Sequence, residues 1–169
     1  DANDLDLTGS FTIEAWVRPT DFAATRTVLS KLGEAKGLSG YALEALTTGK
    51  PRGSVLAAGT TKQVEGGEAL PKETWSHLAF TSDGKTLRLY VEGQLVQTAP
   101  AVAVPGTTAP LKIGKGVATW FKGRLDDLRI YGMALSQPGI EADRNIPIAP
   151  IAAYSFNDGK SRTTWQGFS

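Results

Sequence analysis

The sequence predicts an all-β protein, two antiparallel sheets packed as a sandwich, with one short helix. Three observations carry that expectation. Hydrophobicity alternates with a period of two along most of the chain. Asp83-Gly84 and Glu92-Gly93 stand between alternating runs, as hairpin turns do. About ten short apolar runs are separated by frequent turn residues, the spacing of a sandwich rather than of parallel βαβ units.

Taken in order, Phe11, Ile13, Ala15 and Val17 fall on one face of the first run, and Thr12, Glu14, Trp16 and Arg18 on the other. That is a half-buried strand. Further strands are expected at residues 27–32, 41–46, 53–57, 62–65, 75–81, 86–91, 94–98, 111–113 and 120–131. The glycines between 33 and 40, and Gly66-Gly67, do not join a strand to a helix as phosphate cradles require, so they read as loops. Residues 99–106 contain two prolines and read as an edge or connector. Ser136 is placed to cap a two-turn helix over residues 138–144, with Glu141 near its first turn. Pro147 and Pro150 then favour an extended linker over 146–150, and residues 151–156 read as one more strand. The expected organisation is a body at 1–145, a linker, and a terminal segment at 151–169.

Composition narrows the function. With 169 residues, 41% of them hydrophobic, one core of useful size can form. Eighteen basic and seventeen acidic side chains give a net charge of +1. They form no basic stripe, so a nucleic-acid partner is not expected. No apolar run is long enough for a membrane-spanning helix. No leader peptide is recognisable, so the chain is expected to be a mature protein or an excised piece. The absence of cysteine excludes disulfides, thiolate metal sites and cysteine nucleophiles. The single histidine, His77, excludes a multi-histidine metal centre. It lies in an alternating run without a Gly-x-Ser-x-Gly motif, so it reads as structural.

Four stretches together resemble the laminin G-like, concanavalin A-like jelly-roll modules of secreted bacterial proteins. They are residues 5–19, Trp75-Ser76-His77-Leu78-Ala79-Phe80, residues 87–93 and residues 121–131, closed by Ala134-Leu135-Ser136. The resemblance implies an antiparallel jelly roll. Such modules open with an Ala-Tyr-Ser-Phe strand and an acidic, Gly-rich turn ahead of the Leu-Asp-Leu-Thr segment. Here that signature stands at the far end, as Ala153-Tyr154-Ser155-Phe156-Asn157-Asp158-Gly159. The segment is expected to fold back and complete the same sandwich, with the start of a following repeat as the competing reading.

The resemblance also implies a structural calcium ion at the aspartate matching Asp126. Alternation with Leu128 and Ile130 points Asp126 toward the apolar side, where an unpaired carboxylate costs several kcal/mol. Calcium takes oxygen ligands only, and Asn157 and Asp158 are the expected partner ligands; a carboxylate paired with Arg124 or Arg129, without metal, is the competing reading. The same sandwich carries glycoside hydrolases with a Glu-x-Asp-x-x-Glu array on one strand. The only Glu-x-Asp here is Glu141-Ala142-Asp143, in the expected helix, while Glu14 and Glu44 stand singly. No catalytic residues are therefore expected. Sugar rings stack on exposed aromatic faces beside polar groups, and the candidates are Trp120, Tyr90 and Trp16. The sequence points to a non-catalytic binding or adhesion module of a secreted or surface multidomain protein, with carbohydrate and neighbouring domains as partners. A purely structural spacer is the alternative, and a glycoside hydrolase a minor one.

Overall fold

A computed structural model describes residues 5–32, 39–116 and 119–145. The elements are β1 (Phe11–Pro19), β2 (Arg26–Leu32), β3 (Gly40–Ala45), β4 (Pro51–Ala57), β5 (Thr60–Glu65), β6 (Ser76–Ser82), β7 (Thr86–Val91), β8 (Gln94–Pro100), β9 (Lys112–Ile113), β10 (Gly123–Tyr131) and α1 (Gln137–Arg144). They form two five-stranded sheets, ordered β10-β1-β6-β7-β8 and β5-β4-β3-β2-β9, and every pairing is antiparallel. The expected jelly-roll sandwich is therefore what the chain forms.

The alternation read in β1 holds. Phe11, Ile13, Ala15 and Val17 are fully buried and meet Val28, Leu29, Leu43, Val55, Leu78 and Phe80 between the sheets. Phe11 packs edge-on against Phe80 at 5.5 Å and lies 5.7 Å from Tyr41, contacts worth about 0.5–1.5 kcal/mol each beyond their burial. A Cβ at Gly53 would lie 2.2 Å from the Phe80 ring, so this inward position of β4 must lack a side chain.

Two-residue hairpins set the strand order. Glu92 and Gly93 both have positive φ, 53° and 78°, as a type I′ turn between twisted strands needs. Ala58 and Gly59 repeat the geometry between β4 and β5. Asp83 makes its own turn by accepting from the amides of Lys85 and Thr86 at 2.9 and 2.7 Å.

Helix α1 starts at the expected residue, Ser136, although the serine hydroxyl makes no capping bond. The helix lies across the outward face of the first sheet. Ile140 is fully buried against Ala79 and Tyr90, with Leu135 packed beside them. Polar clasps fix the rest. Tyr131 donates to Asp143 Oδ2 at 2.7 Å, Arg129 to the Asp143 carbonyl at 2.7 Å, and Arg144 to Glu92 Oε2 at 2.6 Å.

Candidate functional site

Trp120 rides on a tight hairpin between β9 and β10, built from backbone bonds. Lys115 and Trp120 pair as an antiparallel bridge, Gly116 donates to the Thr119 carbonyl, and Phe121 donates to the Gly114 carbonyl, the last two at 2.8 Å. Side-chain bonds in both directions anchor it to the body. Ser30 donates to the Lys115 carbonyl at 3.1 Å, Arg26 to the Trp120 carbonyl at 3.2 Å, and Thr119 to the Thr25 carbonyl at 2.7 Å. The indole the hairpin carries is 62% exposed, with the Lys115 ammonium 4.7 Å from its ring centroid.

The hairpin borders the outward face of the second sheet, where Gly116 abuts the Thr27 hydroxyl. There Glu44 accepts from Thr27 at 3.3 Å and from Arg52 at 2.7 Å. With the Arg52 side chain 27% and the Glu44 side chain 16% exposed, the Arg52–Glu44 pair is largely withdrawn from solvent and held in one geometry. Sequence reasoning saw Glu44 as a lone acid and passed over Arg52. The available signal was their opposition across the β3–β4 hairpin, Glu44 facing Arg52.

The other aromatic candidates stand elsewhere. Tyr90 is 3% exposed beneath α1, so its ring offers no face to a ligand. Trp16 is half-buried, with its ring edge-on to His77 at 5.4 Å and the Arg144 guanidinium 5.7 Å from its centroid. Both serve the packing of the helix on the first sheet. Helix α1 packs over this part of the outward face, and that corrects both residues as candidate stacking faces.

Asp126 is a second correction. It is exposed rather than turned inward. The β1–β10 register shifts between Glu14 and Trp16, and Asp127 adopts φ 50°, so a bulge inserts one residue and resets the alternation. Leu125, Leu128 and Ile130 face the core, while Asp126 lies opposite Trp16 on the outward face. One of its oxygens accepts from the Asp127 amide at 2.9 Å. Asp127 is the more buried of the two and holds Arg129 at 2.6 Å. Among the described residues no group of three or more histidines and carboxylates is placed to hold a metal ion. The described part of the expected calcium set therefore does not fit a buried site, and Asn157 and Asp158 lie outside the described residues.

The acids that a hydrolase would need do not meet. Glu14 lies on the outward face of the first sheet and Glu44 on that of the second, with the core between them. Glu141 bonds Gln94 and Gln137, and Asp143 is taken up by Tyr131. Burial pushes His77 down to about 4, so it is neutral at physiological pH.

Residues 1–141 match the family described as the concanavalin A-like lectin/glucanases superfamily. The chain belongs to that superfamily. No curated protein matches it in sequence. Among solved structures, this superfamily member is similar to the CBM40 domain of the Ruminococcus gnavus IT-sialidase bound to α2,3-sialyllactose, with 18% identity, TM-score 0.65, and 80% of this chain and 82% of that one covered. It is also similar to domain 4 of AbnA, a GH43 extracellular arabinanase from Geobacillus stearothermophilus, in complex with arabinotriose: 20% identity, TM-score 0.64, covering 83% and 69%. A third is a putative carbohydrate binding protein from Bacteroides ovatus: 18% identity, TM-score 0.63, covering 79% of this chain but 40% of that one. At these identities the likeness is one of fold. No helix among the described residues is long and apolar enough to cross a membrane.

Proposed function

We propose that the chain is a non-catalytic carbohydrate-binding module of a secreted or surface-exposed, multidomain bacterial protein. The observation that supports this most directly is Trp120. An indole 62% exposed on a hairpin anchored by Ser30, Arg26 and Thr119 costs hydration free energy that packing does not recover. Stacking on a sugar ring does recover it. The fixed Glu44–Arg52 pair on the adjoining face supplies donors and acceptors for hydroxyls without reorganisation. Sugar-binding domains of the same fold among the solved structures support the ligand class. The separation of Glu14 from Glu44 supports a module without hydrolytic chemistry, since retaining hydrolysis needs its two carboxyls about 5 Å apart.

The test is a glycan array followed by titration of the bound members. Wild type binds a defined set, and Trp120→Ala weakens that binding about tenfold or more while its melting temperature stays unchanged, as the loss of one stacking face of roughly 1–2 kcal/mol requires. Binding that ignores Trp120→Ala would move the site off the hairpin, and an array without any bound glycan would favour the structural spacer. A structural calcium ion held by Asp126, Asn157 and Asp158 is a separate proposal, and the resemblance to family modules supports it.

A further inference from the structure

Beside the Trp120 hairpin, the loops at the same end of the sandwich enclose a recess of about 540 Å³, within the range of small-molecule sites. Its walls come from the β1–β2, β3–β4 and β5–β6 connections, and the residues that matter are Asp21, Phe22, Thr47, Thr48 and Lys72.

The recess is built rigidly. Gly49, at φ 81°, sits where a Cβ would lie 3.1 Å from the Phe22 ring and 2.9 Å from Ala69 Cβ, so the three connections close on one another at a glycine. Leu70 locks them by donating to the Gly49 carbonyl at 2.9 Å. The Lys72 ammonium stands 5.9 Å from the Phe22 centroid, and among the described residues no carboxylate pairs with it. Asp21, by contrast, has spent its charge. Its Oδ1 accepts from the Ala23 amide at 3.0 Å and from Arg26, and its Oδ2 lies 3.6 Å from Lys122. Two cations, Arg26 and Lys122, thus hold the one carboxylate of the lining, and Lys72 is the cation it leaves unmatched. The Thr47 and Thr48 side chains are exposed at its rim. The same Arg26 that holds Asp21 donates to the Trp120 carbonyl, so recess and indole are coupled through one guanidinium.

We infer that this recess is a second subsite, taking a terminal, carboxylate-bearing sugar unit of an oligosaccharide whose neighbouring unit stacks on Trp120. The inference rests on the carbohydrate reading above. Each part has a role: the Phe22 ring meets the apolar face of the sugar, the threonine hydroxyls its hydroxyls, and Lys72 its carboxylate. Loops on three sides suit the end of a chain better than its interior.

The experiment is calorimetric titration with matched pairs: 3′-sialyllactose against lactose, and a glucuronic-acid-terminated xylo-oligosaccharide against the neutral xylo-oligosaccharide of the same length. Wild type should bind the acidic member of at least one pair about tenfold more tightly, with a preference that falls as salt rises. Lys72→Met, at an exposed position, should erase that preference and leave neutral binding unchanged. Phe22→Ala should weaken acidic members most, with Phe22→Tyr restoring them, whereas Trp120→Ala should weaken both members. Neutral members bound as tightly as acidic ones, or a preference that survives Lys72→Met, would overturn the subsite and leave the carbohydrate reading standing. Absence of binding to both pairs overturns the subsite, and absence of any binding on the glycan array overturns the carbohydrate reading with it.

Discussion

Glu14 is a carboxylate sealed between the first sheet and α1, fully buried, with neither oxygen hydrogen-bonded among the described residues. His77 beside it is equally enclosed, with Nε2 4.0 Å from Glu14 Oε2. Burial first, then the charges of Asp143 and Asp127 against that of Arg129, push Glu14 up to about 7. A carboxyl with a raised folded-state value contributes stability that is complete below its ordinary value near 4.5 and is lost as pH rises through 7. His77, lowered to about 4 from 6.5, acts in the opposite sense, losing stability as pH falls through that window. Between pH 4.5 and 6.5 the two slopes cancel. Glu14→Gln removes one of them, so its stability relative to wild type should grow with pH from 4.5 to 7, by about 3 kcal/mol in all. Urea unfolding at a series of pH values measures this, and an offset independent of pH would refute it. Alternation in the sequence did place Glu14 opposite Phe11 and Ile13. It did not show that this face is covered, because the cover comes from Ile140 and Arg144, far along the chain. Asp126 misled for a local reason: one bulge residue inverts every inference drawn from a period of two.

Among the elements, the hairpins were the most legible. Glu92-Gly93 forms the turn its composition announced, whereas Ala58-Gly59 went unread because alanine rarely adopts positive φ. β10 raises a different matter. Among the described residues it pairs only with β1, and its inward side chains Leu125, Leu128 and Ile130 are only partly buried. An edge with apolar residues at its margin favours another strand. Residues 151–156, which lie outside the described residues, are proposed to fill that place. The helix leads toward it: Arg144 stands over Trp16 of β1, two inter-strand spacings or about 10 Å from the place beyond β10, within the reach of a five-residue linker. Truncation after Asn145 should then lower the melting temperature by several degrees or more, given about 3–5 kcal/mol for each of Tyr154 and Phe156. An unchanged melting temperature would rule the fold-back out.

At the scale of the molecule, α1 packs on the outward face of the first sheet, and the proposed binding surface lies at the loop end and on the outward face of the second. The sandwich was readable because sheets are written locally, in alternation and turn chemistry. Of the proposed site only Trp120 was legible in the sequence, since Phe22, Thr47, Lys72 and Arg52 come from separate connections and strands that meet only after folding. Calcium is also a question about the whole molecule, since the proposed ion would join the terminal segment to the sandwich through Asp126. If it does, a chelator should lower the melting temperature of wild type by the equivalent of about 2.7 kcal/mol at a hundredfold excess of calcium over its dissociation constant. Asp126→Ala should lose that response, and melting that ignores chelator would exclude the ion.

Gly53 and Phe80 belong to opposite sheets, yet each defines the space the other occupies. Neither position is free to drift alone: any side chain at 53 strikes the ring, and a smaller residue at 80 leaves a void against bare backbone. A lineage can cross from this pair to another only by changing both together, or by passing through a less stable intermediate. The exposed rim of the loop end, at Thr47, Thr48 and Lys72, carries no such mutual debt to the core, so side chains can change there while the sandwich stays as it is.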